Sequence, residues 1–81
     1  MKVIIQTAFE KLYENETREV VLPGDDGELT ILDFHQPLLC SLRCGYVQVI
    51  PRVLAEKKHI PIKYGIARIS DNELKIMVEI P

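Results

Sequence analysis

Apolar and polar side chains alternate with a period of two along most of this chain, most clearly near its end, where Leu74, Ile76, Val78 and Ile80 interleave with Glu73, Lys75, Met77 and Glu79. Successive side chains of an extended strand point to opposite faces, so this pattern predicts a strand with one buried and one wet face. Runs rich in β-branched and aromatic residues predict further strands at Lys2 to Thr7, Glu19 to Leu22, Glu28 to Leu32, Gly45 to Ile50, His59 to Lys63 and Gly65 to Ile69. Pro23-Gly24-Asp25-Asp26-Gly27 and Ser70-Asp71-Asn72 carry turn chemistry and read as hairpin ends. Residues Arg52 to Lys58 lie between Pro51 and Pro61 without an amphipathic stripe and read as a loop or ragged hairpin. Many short strands, each with one apolar face to bury, predict an all-β fold: a small sandwich or flattened barrel of about eight to ten short strands.

Composition agrees with a packed domain. Apolar residues make up 47% of the 81 positions and charged residues 27%, which separates the chain from disordered sequences. Chains of this length bury only about 60% of their unfolded surface, so residues 1–81 are read as one domain with one core. The net charge of −2 supplies no field to attract nucleic acid, whose phosphates are held by many Lys and Arg. The basic residues Arg52, Lys57 and Lys58 lack interleaved aromatics and read as a solvated face. Met1 to Glu10 does not have the form of a signal peptide, and no apolar stretch approaches the roughly 18 residues of a spanning helix. A cytoplasmic location with reduced Cys40 and Cys44 is the default expectation.

Candidate chemistry is sparse. Asp25, Asp26 and Glu28 cluster around two glycines, but a calcium loop spreads its ligands over about twelve residues between helices. A tight acidic turn between strands fits better, with its carboxylates free to meet a partner. Cys40, Cys44, His35 and His59 could in principle supply zinc ligands. Two cysteines four residues apart on one strand would stand about 13 Å apart, however, too far for bonds of about 2.3 Å each. No metal and no cofactor are expected. Only Ser41 and Ser70 are available as serine nucleophiles and no nucleophile-elbow motif occurs, so no catalytic residue is assigned and the chain is not read as an enzyme.

The stretch V-V-L-P-G-D-D-G-E-L-T-I-L-D-F-H-Q-P-L-L-C-S-L-R-C-G, Val20 to Gly45, resembles the signature of the epsilon subunit of F-type ATP synthase, called delta in mitochondria. That pattern runs approximately V-x-x-P-G-x-x-G-x-x-G-I-L-P-G-H-A-P-L-L-T-x-L-x-P-G. The resemblance extends to the strand Lys2 to Thr7 and to K-Y-G-I-A-R-I-S-D-N-E-L-K-I-M-V near the end. Departures are Thr30 for a glycine, Asp33-Phe34 for Pro-Gly, Cys44 for a proline and Tyr64 for a glycine, while Pro51 to Pro61 matches nothing well.

The resemblance implies a non-catalytic rotor subunit that couples ion flow to ATP synthesis at the inner face of an energy-coupling membrane. It implies a c-ring interface at positions matching Asp25, Asp26 and Glu28, and a gamma-subunit interface at those matching Thr7, His35 and Cys40. The family's C-terminal helical hairpin has no counterpart in residues 1–81. Without it, inhibition of hydrolysis and ATP binding are not expected. The competing expectation is a stand-alone β-sandwich interaction protein that has left the synthase.

Overall fold

A computed structural model describes residues 1–52 and 57–81. Among the described residues all regular structure is extended, in eight strands: β1 (Lys2–Gln6), β2 (Lys11–Gly24), β3 (Gly27–Leu32), β4 (Leu38–Leu42), β5 (Gly45–Pro51), β6 (Lys58–Ile62), β7 (Tyr64–Ser70) and β8 (Glu73–Glu79). The all-β expectation holds, and so do both turn assignments. Asp25-Asp26 closes the β2–β3 hairpin with Gly24 opposite Gly27. Asp71 and Asn72 close β7–β8 with φ of 52° and 56°. Positive φ at both central residues matches the twist of a two-residue hairpin, and short polar side chains tolerate it.

Two strands differ from the expected set. β2 has 14 residues and starts eight residues before Glu19, and β4 occupies Leu38–Leu42, directly after Pro37, where no strand was expected. The long β2 organises the fold. Its first half pairs with β1, from Lys2 opposite Glu16 to Gln6 opposite Lys11. Its second half pairs with both β3 and β5, and Gly24 reaches β4 at Leu42. One layer is therefore β2–β1–β8–β7–β4 and the other β3–β2–β5–β6, with β2 in both. The Arg52 to Lys58 connection joins the antiparallel pair β5–β6; residues 53–56 lie outside the described residues.

The core fills the space between the layers. Val3, Ile5, Ile69, Leu74 and Ile76 of the first layer face Val20, Leu22, Ile31, Val47, Val49 and Ile62 of the second, all essentially inaccessible to water. Each occupies the apolar phase of its strand, so the alternation in sequence becomes the inside and outside of the sandwich. Thr17 is the one fully buried polar side chain among the described residues. It sits where β2 passes between layers, its amide donating to the Met1 carbonyl at 2.8 Å and its hydroxyl in contact with the Tyr13 hydroxyl at 3.3 Å.

Candidate functional site: an acidic corner and its groove

The β2–β3 turn is built to stay put. A Cβ on Gly24 would lie 2.7 Å from the Gly27 carbonyl oxygen, and Gly27 has φ of +127°, so both positions favour glycine. The end of β4 latches the turn. The Asp25 amide donates to the Ser41 carbonyl at 3.1 Å, and the Arg43 amide donates to the Pro23 carbonyl at 2.9 Å. Asp25, Asp26 and Glu28 project from this frame as exposed residues. Three carboxylates thus share one corner on a backbone whose hydrogen bonds are satisfied, and they can accept bonds from arginines or amides without reorganising the fold.

Between the free edges of β3 and β4 an open groove of about 510 Å³ runs from that corner, lined by Asp25, Asp26, Glu28, Leu29, Cys40 and Ser41 among others. Cys40 is half-buried in its wall. Burial, and secondarily the negative charge of Asp25, raises its thiol pKa above the usual value. A thiol held protonated is a poor nucleophile and a poor metal ligand. Among the described residues no three His, Cys, Asp or Glu side chains gather as metal ligands.

The other residues picked from sequence are dispersed. Thr7 caps the β1–β2 turn, its Oγ1 accepting from the amides of Phe9 and Glu10 at 3.1 Å each. His35 follows β3, its Nδ1 2.8 Å from the Gln36 carbonyl, a contact that requires Nδ1 to donate. The preceding Phe34 donates its amide to Asn72 Oδ1 at 2.7 Å, while Lys2 at the start of β1 donates to the Asn72 carbonyl. Thr7, beyond the end of β1, and His35 therefore stand at opposite ends of the sandwich. The registers Gly24–Leu42, Leu42–Gly65 and Gly65–Val78 place the acidic turn at the Thr7 end, across the sheet from it. Cys40 joins the acidic corner; Thr7 and His35 do not.

Several prominent surface residues escaped sequence reasoning. Phe9 at the β1–β2 turn is 96% exposed and Phe34 82%, so both rings lie almost wholly in water. Ile66 and Met77 are also exposed, and the sequence did carry a signal for them: each is an apolar residue in the polar phase of its strand.

The family model described as the ATP synthase delta/epsilon chain β-sandwich domain matches residues 1–80. The chain belongs to this family. It is 36% identical over 78 residues to the ATP synthase epsilon chain of Gloeothece citriformis and 32% identical over 78 residues to that of Synechocystis, covering 96% of this chain in both cases. It spans 55% and 56% of those relatives, about half their length. The fold superimposes on a chain of the Tetrahymena thermophila mitochondrial ATP synthase central stalk and c-ring structure with a TM-score of 0.81 at 18% identity, covering 98% of this chain and 63% of the other. A chain of the Euglena gracilis mitochondrial ATP synthase gives 0.86 at 18% identity over 94% of this chain and 48% of the other.

Placed in the delta/epsilon sandwich, three of the four departures from the family pattern fall at strand ends or between strands: Asp33-Phe34 after β3, Cys44 between β4 and β5, and Tyr64 at the start of β7. Thr30 lies within β3. Phe34 is the sharpest of them. It holds φ of 60° where the pattern has glycine.

Proposed function

We propose that this delta/epsilon sandwich serves as a non-catalytic part of the central stalk of an ATP synthase, binding the gamma subunit and the c-ring and coupling ion flow to ATP synthesis. The observation that carries this reading is the acidic corner: three exposed carboxylates on a turn braced by β4, in a fold of this family. A rigid wedge with an anionic tip suits contact with polar loops that present arginines and amides, since such contacts give register and orientation more than bulk affinity. The gamma subunit is assigned to the side that includes Thr7, His35 and Cys40. Because these three are spread along the sandwich, that contact would run its length.

The names of the relatives and the assemblies containing the superimposed folds support the reading. No helix among the described residues is long and apolar enough to cross a membrane, so attachment through the other stalk subunits is part of the proposal. The test is co-purification of the tagged chain with gamma and c subunits from its own cell. Recovery of both at micromolar concentration is the expected result. A folded chain that retains neither would favour the stand-alone interaction protein.

A further inference from the structure

The phase of β3 decides where its backbone points. Asp25-Asp26 closes a two-residue hairpin, so Gly24 and Gly27 exchange backbone bonds, and so does every second pair beyond them, Leu22–Leu29 and Val20–Ile31. The N–H and C=O groups of Glu28, Thr30 and Leu32 therefore point away from β2. Two observed bonds fit this phase: the carbonyls of Pro23 and Leu32, which belong to the intervening pairs, accept from the amides of Arg43 and His35 instead. β3 pairs with no strand but β2, so among the described residues the outward groups of Glu28 and Thr30 and the Leu32 amide have no backbone partner. The opposite edge of the same layer is protected. There β6 carries Lys58 and Pro61, a strong charge and a residue without an N–H, both of which discourage a further strand. β3 has neither lysine nor proline, and its exposed central Thr30, a strand-favouring residue, stands where the family pattern has the strand-weakening glycine.

We infer that β3 is a self-association edge, which pairs antiparallel with β3 of a second copy of this chain about a two-fold axis at Thr30. The strand is complementary to itself in this register. Thr30 exchanges both bonds with its counterpart, and Glu28 and Leu32 lie opposite each other and exchange both of theirs, the Leu32 carbonyl using its second lone pair beside His35. Every outward group then has a partner. Charge selects the same axis. Moving it to Glu28 would set two carboxylates face to face, which destabilises a ladder, whereas an axis at Thr30 holds them about 14 Å apart, past the screening length of about 8–10 Å. Each Glu28 stem instead lies against Leu32, which is 52% exposed in the single chain and loses apolar area to water on pairing. The two threonines form a cross-strand pair at the centre.

The self-pairing does not depend on the stalk reading, and its test needs only the purified chain. Sedimentation equilibrium from micromolar to millimolar concentration should show a reversible dimer, weak because one edge ladder belongs to the small class of interfaces. Hydrogen exchange at the amides of Glu28, Thr30 and Leu32 should slow as concentration rises. Thr30→Lys sets two ammonium groups opposite each other at the axis and should raise the dissociation constant at least about tenfold, with the melting of the monomer unchanged. Thr30→Pro removes an N–H that β2 does not use, so the fold tolerates it while the dimer is lost. A chain that stays monomeric throughout overturns the inference. So does a dimer that Thr30→Lys leaves intact, or one in which those three amides exchange as in the monomer. The stalk reading is untouched by either result, because recovery of synthase subunits decides it.

Discussion

Arg52 at the end of β5 donates from Nη2 to the carboxylate of Asp33 just beyond β3, and the same carboxylate receives the α-ammonium of Met1. The pair ties together two segments that share no strand pairing. The guanidinium, and after it the ammonium, holds the Asp33 pKa below its usual value. A depressed carboxylate pKa contributes stability that is present above the unfolded value of about 3.9 and is lost as pH falls through the folded value. Thermal melting followed from about pH 6 to pH 2 should therefore fall less steeply for Asp33→Asn than for the parent, the two curves converging at the acid end. Parallel curves would show that the pair is energetically silent.

Phe34 adopts a left-handed conformation where the family pattern has glycine, and its ring is almost wholly in water. A non-glycine residue there costs about 1–2 kcal/mol, while glycine costs about 0.5–1 kcal/mol in chain entropy. Phe34→Gly keeps the amide bond to Asn72 and loses little buried area. It should stabilise the fold by roughly 0.5–1 kcal/mol in urea denaturation, as the difference of those two terms.

Gly65 pairs with Val78, and a Cβ there would sit 2.6 Å from the Met77 carbonyl oxygen and 3.0 Å from Val78 Cγ1. Backbone cannot yield as a flexible side chain does. Gly65→Ala should cost about 1–3 kcal/mol, within the range for overpacking, and lower the melting temperature by about 4–8 °C per kcal/mol in a domain of this size.

Glu28 is exposed on β3 beside the acidic turn. Glu28→Lys should leave stability within about 0.5 kcal/mol of the parent, as surface changes do, while weakening ion-coupled ATP synthesis in membranes. Unchanged coupling would remove this corner from the proposed ring contact.

Legibility followed apolar phase. Strands with one fully apolar face, such as Leu74-Ile76-Val78 and Val47-Val49, were readable because burial and alternation coincide there. The first half of β2 was not: Lys11, Glu14, Asn15 and Glu16 face solvent, and its inward positions, Leu12, Tyr13 and Thr17, do not form a clean apolar alternation. β4 was missed because exposed Leu39 interrupts the phase set by Leu38, Cys40 and Leu42. The carboxylates of the acidic corner were found because they are neighbours in sequence. The placement of Cys40 beside them depends on β4 meeting the end of β2, a pairing across 18 residues that local pattern does not encode.

The shared strand also has a mechanical meaning. Because Lys11 to Gly24 is one covalent chain woven through both layers, sliding one layer over the other would require it to stretch or to break its ladders to β1, β3 and β5 together. If the proposed contact at the Asp25-Asp26 tip holds, a load applied there would pass through β2 into both sheets at once, and the domain would transmit it as a stiff body with little elastic energy stored of its own.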